Sequence, residues 1–384
     1  MRDPIYLDYN ATTPIDREAA DAMLPYLYAH FGNPSSAHPY GRAAREAVEQ
    51  AREQVAALLN AAPAEIIFTS GGTEANNTVI KGVVEARAGE GRPIITSAVE
   101  HPAVLEPCRV LAARGCDVTV LPVDGQGRVS PGDVRAALRD DTVLVSIMLA
   151  NNEVGTVQPV AEIAGLAHER GALVHTDAAQ AVGKVPVDVR ALGVDFLSVA
   201  GHKVYAPKGV GALYVREGVA LPKFMHGAAH ERNRRAGTEN VLEIVGLGRA
   251  AEVAGRDLEQ NVAAMRAARD RLYEGLRARV DGLRRNGDPD HGLPNTLSVS
   301  FQGVQANVLL DRISARVAAS AGAACHADQV TVSTVLAAMD VPTEYAMGTL
   351  RLTTGKLTTR EEVDAAVEAI AQAVEALRGG SQDH

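Results

Sequence analysis

Leu173-Val174-His175-Thr176-Asp177-Ala178-Ala179-Gln180 and Asp195-Phe196-Leu197-Ser198-Val199-Ala200-Gly201-His202-Lys203 share one shape: a short β-prone run that ends on a polar residue able to do chemistry. An acid just past one buried strand and a lysine just past another fall where an open α/β sheet forms its ligand crevice. Outward from them lie similar runs at Ile66-Ile67-Phe68-Thr69, Pro93-Ile94-Ile95-Thr96, Val118-Thr119-Val120-Leu121 and Val143-Leu144-Val145-Ser146, with amphipathic stretches between. That alternation predicts an α/β core, a mostly parallel sheet covered by helices. Gly41 to Asn60 carries apolar and Ala positions at helical spacing and reads as a long surface helix.

A second long helical pattern runs from about Val253 to Val280, and the polar Arg285-Asn286-Gly287-Asp288-Pro289 follows it. We place a change of domain here. The expected organisation is a large domain over 15–255 with the central sheet, and a smaller α+β domain built from 1–14 and 256–384. Leu297-Ser298-Val299-Ser300-Phe301 is a strand of the smaller unit, and Thr358-Thr359-Arg360-Glu361-Glu362 suits a helix N-terminus.

At 384 residues and 46% hydrophobic, the chain has ample apolar material for a sizeable core. Its net charge of −9, without a run of five or more Lys or Arg, disfavours direct nucleic-acid binding. Met1-Arg2-Asp3-Pro4-Ile5-Tyr6 has no apolar signal core, and no segment approaches eighteen consecutive apolar residues. A cytoplasmic protein without a membrane span is expected. Cys108, Cys116 and Cys325 are too few and too scattered for a disulfide framework or a metal site, which leaves reduced thiols.

Ser70-Gly71-Gly72-Thr73-Glu74-Ala75-Asn76-Asn77 follows a strand and opens a helix, so it is either a phosphate cradle or a plain tight turn. Asp177 is either a ligand-facing acid or a helix N-cap. Lys203 is either a surface lysine or, in its Gly-rich turn, a Schiff-base nucleophile of lowered pKa. One cofactor unites the three: pyridoxal 5′-phosphate needs a lysine, an acid for its ring nitrogen and a phosphate site at a helix start. His101, in Val99-Glu100-His101-Pro102, offers a ring to stack on the pyridine, and Asn152, in Asn151-Asn152-Glu153, an amide for the ring hydroxyl.

With Tyr6-Leu7-Asp8-Tyr9-Asn10-Ala11-Thr12-Thr13-Pro14, Phe31-Gly32-Asn33-Pro34-Ser35-Ser36 and Leu350-Arg351-Leu352-Thr353-Thr354-Gly355 added, the chain resembles the cysteine desulfurases. These belong to the fold-type I, class V aminotransferase-like pyridoxal-phosphate enzymes, and the likeness spans nearly the whole chain. It implies that Lys203 links to the cofactor, Asp177 pairs with the ring nitrogen, His101 stacks on the ring, and Asn152 and Gln180 hold the ring oxygen. Gly72, Thr73 and His202 would bind the phosphate, joined by Thr238 from a neighbouring subunit, so a homodimer with shared active sites is implied. Arg351, with Asn152, would bind the substrate carboxylate.

The family often has a phosphate-binding Ser where this chain has Ala200. Cys325, in Ala319-Ser320-Ala321-Gly322-Ala323-Ala324-Cys325-His326, matches the catalytic cysteine, and its small flanks read as a mobile loop. His326 either lowers the thiol pKa or is a solvated loop residue. The Ala-Ala-Cys-His form is similar to selenocysteine lyases and to desulfurases serving DNA phosphorothioation. The implied reaction converts L-cysteine to L-alanine, with a Cys325 persulfide that passes sulfur to an acceptor protein of iron–sulfur assembly, tRNA thiolation or DNA phosphorothioation. A selenocysteine lyase or another class V aminotransferase is the alternative. Cys108 and Cys116 are assigned to packing.

Overall fold

The computed structural model describes residues 3–87, 91–326 and 329–379, and for 91–92, 323–326 and 329–331 the backbone alone. The chain opens with β1 (Ile5–Tyr6) and then builds a seven-stranded sheet from β2 (Ile66–Thr69), β3 (Gly91–Ser97), β4 (Cys116–Leu121), β5 (Leu144–Ser146), β6 (Leu173–Asp177), β7 (Phe196–Ala200) and β8 (Gly211–Val215). Their order is β2-β8-β7-β6-β5-β3-β4. The pairs from β4 through β7 are parallel, whereas β8 runs antiparallel to both neighbours. Every strand expected in this half is present, and β8 is the one the sequence reading lacked.

Successive residues of the sheet bury on opposite faces, as a strand with helices on both sides requires. Leu144, Phe196 and Leu213 pack beneath Val79, Ile80 and Val83 of the helix Gly72–Ala86 and Val104 and Cys108 of the helix Pro102–Ala112. Val145, Leu197 and Tyr214 face the other way, onto Val48, Val55 and Leu247 of the helices Pro39–Leu58 and Val241–Arg256. Each such side chain contributes about 1.5–3 kcal/mol of burial. Cys108 belongs to this packing, and burial pushes its thiol up to about 12. The expected helix over 253–280 is instead two, Val241–Arg256 and Leu258–Arg279, which meet at Asp257. Apolar spacing is shared by both helices, so periodicity alone does not mark the break between them.

The remaining strands are β9 (Leu283–Asn286), β10 (Thr296–Phe301), β11 (Val317–Ala318), β12 (Ser320–Ala321), β13 (Ala323–His326), β14 (Gln329–Val332) and β15 (Thr349–Thr353). They form an antiparallel sheet of order β12-β15-β10-β9, a β13–β14 pair and a parallel β1–β11 pair. A second core joins Leu297, Val299, Leu350 and Leu352 to Leu272 and Leu276 and to Val363, Val367 and Ile370 of the helix Arg360–Gly379. That helix opens with reciprocal bonds between Thr359 and Glu362, the capping box its sequence announces. No helix among the described residues is long and apolar enough to cross a membrane.

Candidate active site

The chain segments that leave the carboxyl ends of β3, β5, β6 and β7 converge on a cavity of about 230 Å³. His101, Met148 with Asn152, Asp177 with Gln180, and His202 with Lys203 are their respective contributions. Gly72, Thr73 and Asn76, from the start of the helix Gly72–Ala86, close a further side. The lysine turn is held tightly: a Cβ on Gly201 would lie 2.7 Å from the Val210 carbonyl oxygen, so only glycine fits. Thr13 accepts from the Tyr205 amide and donates to the His202 carbonyl, which clamps the turn to the N-terminal segment.

Asp177 is nearly buried at the end of β6. Its Oδ1 accepts from the Ala179 amide at 2.9 Å, a turn-capping bond, and its Oδ2 from Asn76 Nδ2 at 2.7 Å. The residues after Asp177 form a turn and not a helix, so the N-cap reading is only locally met. Because a carboxylate only accepts, Asn76 must face it with its nitrogen, and Asn76 Oδ1 is left buried without a partner. Burial lowers the Lys203 pKa, which Arg351 reinforces and the nearby Asp177 and Asp8 oppose. The amine therefore loses its proton more readily than an ordinary lysine.

His101 caps the helix Pro102–Ala112: its Nδ1 accepts from the Ala103 amide at 3.0 Å. Nδ1 therefore carries no proton, and Nε2 does. Burial lowers its pKa, with Asp177 opposing and Lys203 reinforcing the shift, which favours the neutral ring. Beside it Glu100 is buried, accepts from Ser97 Oγ and the Met148 amide, and is pushed up to about 8 by desolvation.

A second hollow of about 370 Å³ shares Ala11, Gly72, Thr73 and His202 with the first and extends over Ser70, Gly71 and Lys208. Here Gly71 is the N-cap of the helix, its φ of 144° suiting glycine, and no side chain caps the helix start. Exposed amides at a helix start, with Lys208 beside them, make an anion cradle. His202 lies between the hollows, 3.2 Å from Thr12 Oγ1, and burial next to Lys203 and Lys208 pulls its pKa to about 4. Ala200 lines the cavity with a methyl group only.

Arg351, on β15, stands beyond the cavity lining. Its guanidinium donates to Asp8 Oδ1 at 2.8 Å, Ser320 Oγ at 3.1 Å and the Asn152 carbonyl at 3.2 Å, while its Nε is buried without a partner. Asn10 ties this side to the cavity floor by donating to the Asn152 carbonyl and to Thr296 Oγ1. Thr238 is exposed and lines no part of the cavity of its own chain.

The side chains of Cys325 and His326 lie outside the described residues. Their backbone is not the expected loop: β13 pairs with β14, Cys325 opposite Val330, because the small residues of 323–325 meet a β-prone Val330-Thr331-Val332 run. The pair is rooted beside Arg351, since Ser320 pairs with Arg351 in β12–β15 and the Ser333 amide donates to the Gly322 carbonyl. Ser333 Oγ also donates to Glu153, next to Asn152.

Sequence reasoning missed Asn76, Asn10, Lys184 and Asp8. Asn76, Asn10 and Asp8 stood inside quoted runs, while Lys184 lay just past the 173–180 run with no local signal of its contact.

The aminotransferase class-V family model matches residues 5–366. The chain is 47% identical over 378 residues to a protein from Methanosarcina thermophila named cysteine desulfurase IscS, covering 98% of this chain and 93% of that one. A solved NifS-like protein superposes with a TM-score of 0.92 at 38% identity, over 97% of this chain and all of that one. The structure described as SspA in complex with cysteine has a TM-score of 0.82 at 38% identity, over 92% of this chain and 99% of that one.

Proposed function

This chain belongs to the aminotransferase class-V family and is a cysteine desulfurase, and from that premise we propose that the cavity at Lys203 takes sulfur from L-cysteine with pyridoxal 5′-phosphate as cofactor. The observation that carries the reading is the meeting of Lys203, Asp177 and an uncapped helix start around one cavity. The donor set fits the cofactor: a carboxylate for a ring nitrogen, a neutral imidazole to lie against the ring, and free amides for a phosphate. The unpartnered Asn76 Oδ1 is a further polar atom awaiting a ligand group. When bound, the cofactor supplies an electron sink for charge left at the substrate α-carbon.

Lys203 would anchor the cofactor, and its amine, once freed, is the base for the α-proton. Asp177 would keep a proton on the ring nitrogen, with Asn76 holding its other carboxylate oxygen in place. Gly72, Thr73 and His202 would hold the phosphate, with Thr238 of a second copy, which its exposed position on its own chain leaves available. Arg351 would bind the substrate carboxylate through the fork that Asp8 and Ser320 orient. The Cys325 thiolate would attack the substrate sulfur: the S–S bond forms, the substrate C–S bond breaks with its electron pair going to carbon, and a proton completes alanine. The persulfide would then pass its outer sulfur to a thiol of an acceptor protein, in iron–sulfur assembly or another sulfur-transfer route.

The test supplies L-cysteine to the cofactor-loaded protein and measures alanine against persulfide at Cys325 by mass spectrometry. Equal amounts are expected in the first turnover, and keto-acid formation in place of alanine would overturn the reading. Arg351→Gln should raise KM by roughly ten- to a hundred-fold, since a hydrogen bond to a charged group contributes about 1.5–3 kcal/mol. An unchanged KM removes Arg351 from substrate binding.

A further inference from the structure

Lys184 is 3% exposed, four residues beyond Gln180, and its amine donates to Gln180 Oε1 at 2.7 Å and to Asn10 Oδ1 at 3.0 Å. Both acceptors are neutral, and among the described residues no carboxylate forms an ion pair with it. Burying an ammonium beside neutral partners is unfavourable, so packing does not account for a lysine here. Its donors do.

An amide has an accepting and a donating end, while a lysine nitrogen held this way only donates. Gln180 Nε2 in turn donates to the Asn10 carbonyl at 2.9 Å. Lys184 on one side and a carbonyl on the other therefore demand the same orientation, and the reverse would set oxygen against oxygen. One Nε2 hydrogen goes to Asn10, and the second is left on a side chain that lines the cavity. We propose that Lys184 is a positioning residue: by holding Gln180 Oε1 it makes Gln180 present an N–H to the cavity beside Lys203, where that N–H donates to the ring oxygen of the bound cofactor.

This deepens the cofactor reading and rests on it. A donor on the ring oxygen stabilises its anionic form and draws it away from the proton on the cofactor-linked Lys203 nitrogen, so that proton leaves at lower pH. Of the charged groups around Lys184, Lys203 and Arg351 lower its basicity, and Lys184 in turn lowers that of His202. Asp16 and Lys356 line the small gap that Lys184 shares with Lys203, while on Lys203 itself Arg351 lowers the basicity and Asp177 and Asp8 raise it. Burial and the two cations hold the basicity of Lys184 well below the usual lysine value. A neutral amine still has hydrogens for both acceptors, so the orientation of Gln180 does not depend on the charge.

The visible absorption of the purified holoenzyme, titrated with pH, reads this role directly. Lys184→Met should raise the midpoint of the Lys203-linked band by about one pH unit, a tenfold tighter proton. Lys184→Gln, which can still donate, should raise it less. Gln180→Leu should reproduce the Met shift, and the double variant should add nothing further, as expected when one residue acts through the other. A midpoint unchanged in Lys184→Met while its melting temperature falls, or shifts that add in the double variant, would overturn the inference. Should Lys184→Met not fold, an unshifted Gln180→Leu overturns it equally. A wild-type protein that binds the cofactor without any Lys203-linked band sinks the cofactor reading itself, and the two failures are thereby told apart.

Discussion

Lys203→Ala is expected to fold, to bind no cofactor covalently and to lose L-cysteine turnover by at least about 10³-fold, the size that follows when a general base and a covalent anchor vanish together. The fold should survive because the Lys203 side chain makes no protein hydrogen bond or ion pair among the described residues, and burial disfavours its charge. The turn around it is held by Gly201, Val210 and Thr13 through backbone and hydroxyl bonds that alanine leaves intact. Circular dichroism should match wild type while the visible band is absent. Alanine production within about tenfold of wild type would remove Lys203 from the proton-transfer role.

Cys325→Ser separates the two halves of the reaction. The groups that would hold the cofactor, Gly72, Thr73, His101, Asp177, His202 and Lys203, come from other parts of the chain, so the visible band should be unchanged. Sulfur transfer should fall to background, because a serine hydroxyl is a far weaker nucleophile than a thiolate and cannot carry a persulfide. The assay is sulfide released with a reducing thiol, together with mass spectrometry of the protein. Wild-type sulfide production would refute the assignment of Cys325. The β12–β15 pairing gives the thiol a reason to work where it does: the strand leading to Cys325 lies against Arg351, which would hold the substrate at the same edge.

Much of the site was legible in the chain because its chemistry sits directly after strands. Asp177 ends β6, Lys203 comes three residues after β7, and Thr73 lies in the first turn after Gly71. Motifs of this kind are local, so a strand, a glycine and a reactive residue can be recognised together. β8 escaped notice because Gly211-Ala212-Leu213-Tyr214-Val215 carries no chemical residue and its antiparallel direction breaks the parallel pattern. The junction at Asp257 escaped because two helices with one apolar period read as a single run. The β13–β14 pair escaped because small residues suit a loop as well as a strand, and pairing with a partner decides between them.

By itself the sequence determined the sheet with helices on both faces, the polar residues at the ends of its strands and the cofactor they imply, since burial periodicity and strand-end chemistry are properties of neighbouring residues. Only the tertiary structure decided which distant groups complete the site. Asn76 reaches Asp177, Asn10 joins Gln180 to Asn152, Lys184 orients Gln180, and Asp8 meets Arg351. The physical reason is that a hydrogen bond between residues far apart in the chain leaves no spacing to read. It is set by where the buried faces of separate elements bring donors and acceptors together.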